Sequence, residues 1–164
     1  MNYTLPEPQQ QISQDAVKVW RVSAVITHVI SIVILCILLF LDSRYDWYEW
    51  LKPVIYILIA IDIIYSIYGI VLYPYYLQKT WRYEVDERFI QLKHGALERE
   101  NSIIPMTKVQ YVNTNQGPIL RKYNLCTITI GTTASSHKIP AITREAAEVL
   151  RTKIAIFAQI KEDE

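Results

Sequence analysis

Glycine is scarce in this chain: four in 164 residues, too few for a Gly-rich phosphate loop or a flexible linker. Cysteine is scarcer. Cys36 and Cys126 are the only two, and two thiols cannot build a disulfide framework or a zinc cluster. Neither sign of charge dominates. Lys+Arg 17 against Asp+Glu 16 leaves a net +1, which excludes a strongly basic nucleic-acid binder and an acidic tail protein. What the chain has in excess is apolar side chains, 51% of it, concentrated in two long runs near the N-terminus. That distribution implies a membrane protein carrying one small domain.

The first run, Val22 to Leu41, is twenty residues without Asp, Glu, Lys or Arg. As a helix rising about 1.5 Å per residue it covers a hydrocarbon core of about 30 Å. A secretory signal peptide is the rival reading. The run is long for such a segment, starts after twenty-one residues, and is followed by no small-x-small cleavage site. The second run, Val54 to Tyr73, is also twenty residues long, with Asp62 its one charge. Pro53 suits a first helical turn, and Pro74 is expected to stop the helix. The pair reads as a transmembrane hairpin over residues 22–78, preceded by an N-terminal segment, 1–21, and followed by a domain over 79–164.

Aromatic residues crowd the expected interfaces: Trp20 before the first run, Tyr45, Trp47, Tyr48 and Trp50 in the link, then Tyr73, Tyr75, Tyr76 and Trp81. Amphipathic rings favour the headgroup layer. Lys18, Arg21, Lys79, Arg82, Arg88 and Lys93 flank the two outer ends, against Arg44 and Lys52 in the link. This six-to-two bias predicts a multi-pass cell-membrane protein with both termini cytoplasmic.

Beyond Pro74 the period changes to two. Trp81, Tyr83 and Val85 alternate with Arg82, Glu84 and Asp86, then Ile90 and Leu92 with Gln91 and Lys93. Asp86-Glu87-Arg88 and His94-Gly95 read as turns. Further strands are expected over Glu98–Ile104, from Val109 to Thr114 with Val109, Tyr111 and Asn113 on one face, over Thr127–Thr132, and at Lys138-Ile139 before Pro140. From Thr143, a good cap, Ala146, Ala147, Leu150, Ile154, Phe157 and Ala158 fall at helical spacing. An antiparallel β-sandwich or barrel closed by one amphipathic C-terminal helix is the outline of a PH-like α+β domain, and about 85 residues suffice for one core.

The run IPMTKVQYVNTNQGPILRKYNL, Ile104 to Leu125, resembles the core motif of the bacterial pleckstrin-homology domain of the second type, the membrane-flanked domain. HKIPAI, His137 to Ile142, followed by REAAEVL, fits the same pattern, as does KVWR before a hairpin and WRYEVDERFIQLKHG after it. From about Asp15 onward the chain resembles the short, single-domain YdbS-like membrane proteins of Gram-positive bacteria. Asn124 departs from the pattern, standing where the family often has Gly after an aromatic. The resemblance implies a PH-like fold and a membrane anchor, with no established reaction. It also implies a larger membrane partner carrying several copies of the same domain.

A carboxylate inside a span is a functional candidate by default. Asp62 costs about 2.5–3.5 kcal/mol at a helix centre, so something must offset it. Asp62, Ser66 and Gly69 share one helical face with Tyr65, and Ser23, Thr27 and Ser31 form a polar stripe on the first span. Laid antiparallel, Gly69 falls near Thr27, and Ser66 and Asp62 near Ser31, an expected close-packing seam. A proton or ion site using Asp62 and His28 is the alternative. His94 and His137 have no ligand-spaced neighbours, so no metal is expected, and no nucleophile elbow, P-loop or cofactor motif is present. Arg121, Lys122 and Tyr123 are the candidate partner- or lipid-contacting cluster, or else Arg121 merely ties down a loop. The first hairpin turn, Asp86-Glu87-Arg88, is mainly acidic and ill-suited to phosphoinositides. The expectation is a non-enzymatic adaptor or assembly subunit in contact with membrane lipid, itself or a larger membrane protein, and not with nucleic acid. A small transport component is the alternative.

Overall fold

The structure is a computed structural model that describes residues 7–45, 48–95 and 99–159. Trp47 of the aromatic link and Glu98 at the start of an expected strand lie outside them. Two compact units emerge, residues 20–75 and residues 1–19 with 76–164.

The first unit is the helical hairpin. Helix α1 spans Ala16–Tyr45 and α2 spans Leu51–Ile67. A π-helical turn, Tyr68–Leu72, then leads into α3, Tyr73–Thr80. Of the most apolar window, 0% is buried in the first long helix and 6% in the second. A core helix of a soluble protein would bury most of it, so these surfaces are built for lipid. Both helices outrun the apolar stretches that announced them. Pro53 occupies the first turn of α2 as expected, where its missing N–H has no helical partner to lose.

Pro74 does not stop the helix. In an α-helix its ring would press on the carbonyl of Ile70 and leave that oxygen without a donor. The π-helical turn just before it, in which Tyr73 N–H bonds to Tyr68 O, widens the backbone there. Arg21 Nε donates to Ile70 O at 3.2 Å, and the helix continues to Thr80.

The second unit holds two antiparallel sheets. One has the order β1-β2-β3-β4, with β1 Gln10–Gln11, β2 Arg82–Val85, β3 Phe89–His94 and β4 Glu100–Pro105. The other has the order β5-β6-β7, with β5 Val109–Asn115, β6 Leu125–Thr132 and β7 Ser136–Thr143. The sheets do not close into a barrel. Period-two burial follows the sequence in β2, whose Tyr83 and Val85 pair with Leu92 and Ile90 of β3, all four buried, while in β3 Gln91 between them is buried too. Ile104, Met106, Leu125, Ile128, Ile130, Ile139 and Ile142 complete the core with Ala147, Leu150 and Ile154 of helix α5, Arg144–Phe157. Thr143 caps α5 by accepting from Ala146 N–H at 3.3 Å, and Lys153 Nζ donates to Val85 O at 2.7 Å.

Three details depart from the expected pattern. A bulge between Val109 and Tyr111 breaks the alternation of β5. Val109 is buried, while Tyr111 lies over Gly131, whose missing side chain leaves room for the ring. Strand β7 runs through Pro140 rather than ending before it. It is an edge strand, where a missing donor is tolerated, and its register shifts between Cys126 and Ile128. Finally, the N-terminal segment belongs to this unit. Gln10 and Gln11 pair with Tyr83 and Arg82, Ser13 N–H donates to Ala141 O at 3.1 Å, and Ile12 and Ala16 are buried.

Candidate functional site

The heptad-like spacing of the partly buried positions fixes which face of each membrane helix meets the other. On α2 and the π-helical turn they include Ile59, Asp62, Ser66 and Gly69, in line with the buried Ile55; on α1 they include Ala24, His28, Ser31 and Leu35. Asp62, Ser66 and Gly69 are partly buried on this face. Ser23 and Thr27 are not: both are exposed. A strict spacing of four advances 40° per step around a helix, so the stripe Ser23-Thr27-Ser31 winds away from the contact, and only Ser31 stays on it.

The partner of Asp62 is His28 rather than Ser31. His28 Nδ1 and Asp62 Oδ1 are 3.1 Å apart, with both side chains largely buried. Tyr65 sets its ring edge-on to the imidazole at a centroid distance of 6.1 Å. Gly69 leaves space beside His28 Nε2, since even an added Cβ would sit 3.6 Å from it. Asp62 Oδ2 is buried and has no hydrogen-bond partner among the described residues. Thr27 Oγ1 and Ser66 Oγ bond within their own helices, to Ser23 O at 3.0 Å and Ile63 O at 2.7 Å. At the middle of the spans the two helices thus meet through a carboxylate–imidazole pair in a low-dielectric setting.

A second buried carboxylate lies at the link end. Asp42 is 1% exposed, and Lys52 Nζ stands 3.7 Å from its Oδ2. In the sequence Asp42 simply follows Leu41, the last residue of the first apolar run. Its position two helical turns beyond Leu35 on the packing face was the signal available for its burial.

In the sheet unit, Arg121 and Lys122 lie on a short helix, α4, Pro118–Lys122, and not on a loop; Tyr123 follows at its C-cap. Gly117 at the N-cap and Pro118 at the first helical position start this turn. Arg121 and Lys122 are exposed and Tyr123 is half-buried. Asn124 has φ 52°, the left-handed conformation that favours Gly and that Asn tolerates best among the other residues. This accounts for the departure from the family pattern at that position.

His94 packs against Trp81 with ring centroids 4.5 Å apart, and His137 Nε2 is 2.9 Å from Ser135 Oγ. Among the described residues, no group of three or more His, Cys, Asp or Glu side chains is placed to hold a metal ion. Cys126 is buried, and that burial pushes its thiol up.

A model of the bacterial PH domain family matches residues 21–156, which takes in the hairpin as well as the sheets. The chain is 37% identical over 158 residues to the UPF0699 transmembrane protein YdbS of Bacillus subtilis (strain 168), covering 96% of this chain and 98% of that protein. No solved structure matches.

Proposed function

Because the chain belongs to the bacterial PH domain family, we propose that it is a non-enzymatic membrane adaptor. Its hairpin presents the PH-like module at the cytoplasmic face of the cell membrane, where the module engages another membrane protein or a second copy of the chain. The observation that carries this reading is the shortness of both connections. Four residues separate β1 from α1, and Trp81 alone separates α3 from β2. A module joined this tightly to two spans is held at the membrane rather than sent to roam. The six-to-two Lys/Arg bias favours the cytoplasmic side for both termini. The resemblance favours a partner carrying several domains of the same kind, and nucleic acid is no part of the reading.

Crosslinking in native membranes, followed by mass analysis of the products, is the test. A stoichiometric membrane-protein partner or a homo-oligomer supports the adaptor; a chain that crosslinks to nothing at endogenous levels overturns it. Impermeant thiol labelling of single cysteines checks the orientation. Labelling of the C-terminal end in intact cells, with none between Asp42 and Pro53, reverses it.

A second reading is favoured by the His28–Asp62 contact and the unpartnered Asp62 Oδ2: a small proton-coupled membrane component. Asp62→Asn separates the two, since it keeps size and hydrogen-bonding capacity but cannot ionise. On the adaptor reading Asp62→Asn preserves assembly and cellular activity. Asp62→Leu weakens helix association by about 0.6–2 kcal/mol. Loss of activity in Asp62→Asn with assembly intact transfers the assignment to the proton site.

A further inference from the structure

Where α3 ends and the first sheet begins, the second unit has an open polar cleft of about 290 Å³. Lys79, Arg82, Lys93 and Arg99 line it together with His94, and one carboxylate, Glu7, enters it. Among the described residues that line it, four carry a positive charge and Glu7 a negative one, while the lining His94 has Glu100 Oε2 3.7 Å from its Nε2. The elements explain the convergence. Arg82 is anchored at the C-terminus of α3, its Nη1 donating to Lys79 O at 2.8 Å and to Trp81 O at 2.9 Å. Lys93 is the direct cross-strand partner of Arg82, so the β2–β3 register places two cations side by side. Like charges placed opposite each other cost stability unless an anion lies between them.

The anion present is supplied by the chain itself. Lys93 Nζ bonds Glu7 Oε1 at 2.7 Å, and the Glu7 carboxyl is held below its usual value, first by that bond and then by the charges of Lys93 and Arg99. One cation of the cleft therefore already holds a carboxylate, on a side chain that is 78% exposed and so cheaply displaced. We propose that this cleft binds a phosphate-class oxyanion in competition with Glu7, which acts as an internal plug. Lys79 follows Tyr73, the end of the second apolar run, by only six residues. Juxtamembrane cations of this kind meet the phosphate of anionic lipid headgroups, and free phosphate shares the same chemistry. The site stands apart from the acidic Asp86-Glu87-Arg88 turn at the other end of the β2–β3 hairpin, so it needs no phosphoinositide selectivity.

The test uses the full chain in a nonionic detergent. Thermal midpoints are recorded against phosphatidylglycerol or phosphatidylcholine in mixed micelles, and against inorganic phosphate alone, with chloride matched for ionic strength. Phosphatidylglycerol or phosphate is expected to raise the midpoint where phosphatidylcholine and chloride do not. A shift with the lipid alone identifies a headgroup as the source, and a shift with phosphate that then blocks the lipid's effect identifies free phosphate. Glu7→Gln is expected to tighten apparent binding by about two- to fivefold, the worth of an exposed ion pair that no longer has to be broken. Lys93→Gln combined with Arg99→Gln should weaken it about tenfold or more. Equal shifts with phosphatidylcholine, or Glu7→Gln binding no tighter than the parent, overturn the proposal. The second criterion stands even if the double variant fails to fold.

Discussion

Arg21 on the first membrane helix donates its Nε–H to the carbonyl oxygen of Ile70 on the second, at 3.2 Å. That oxygen lies four residues before Pro74, where a proline cannot supply the helical donor. One side chain thus answers a defect in the neighbouring helix, and a residue that counts toward membrane orientation also ties the hairpin together. Arg21→Ala is expected to destabilise the hairpin by about 0.6–1.7 kcal/mol, the range for interhelical hydrogen bonds in membranes. In a Pro74→Ala background most of that cost should vanish, because the residue at 74 regains an N–H for Ile70 O. A double-mutant cycle on unfolding in detergent checks this. Additive costs would mean that Arg21 and Pro74 are not coupled.

Apolar length and alternation made the architecture legible in advance: two spans, a sheet domain and a capped C-terminal helix each announced themselves by period. Pro74 was misread because a proline stops an isolated helix, whereas here a π-helical turn and a guanidinium from another helix absorb the fault. The membrane seam was half legible. Asp62, Ser66 and Gly69 lie on one face by spacing alone, but their partner face depends on helix rotation, and polarity pointed to Ser23 and Thr27 where packing selected His28. The N-terminal strand gave least warning. Gln10 and Gln11 carry no alternation, and Ile12 is a single apolar residue among polar ones. Their placement is fixed by an open edge of β2 far away in sequence.

Asn124 separates conformational demand from side-chain chemistry. Its φ of 52° is costly for a residue with a Cβ and free for glycine. Asn124→Gly should therefore leave the thermal midpoint of the sheet unit within error or raise it slightly. Asn124→Ala is expected to cost about 1 kcal/mol. Equal effects from the two substitutions would show that the side chain, and not the backbone, is what the site selects.

Cys126 is 3% exposed in β6, and burial is the first cause of its raised pKa. The neutral thiol is therefore the form the fold prefers. The stability it contributes is fully present below the free-thiol value of 9.0 and is lost as pH rises through the raised value in the fold. At neutral pH a maleimide should modify Cys126 only after denaturation, and alkaline unfolding should be milder in Cys126→Ser or Cys126→Val than in the parent. With Cys36, the exposed thiol, replaced by Ser, rapid labelling of the folded protein at pH 7 would contradict the buried placement of Cys126.

The N-terminal segment bonds to both sheets, and its contribution is testable without knowing any partner. Ile12 is 2% exposed, flanked by the β1 residues that pair with Arg82 and Tyr83 and by Ser13, whose N–H reaches Ala141 in the other sheet. One short segment therefore touches both sheets. Ile12→Ala removes a buried branched side chain and should cost about 2–5 kcal/mol, against about 0.5–1.5 kcal/mol for Ile12→Val. A domain cut at Lys79, the boundary that hydropathy suggests, loses β1, Ile12 and Ala16 together. Such a fragment should unfold at lower denaturant than one to which residues 7–19 are fused, and adding those residues as a separate peptide should recover part of the difference. Thermal and urea unfolding of the full-length variants and the two fragments provide the measurement. If Ile12→Ala melts with the parent, and the fragment is equally stable with and without the segment, the sheets hold together by themselves and the N-terminus is only draped over them.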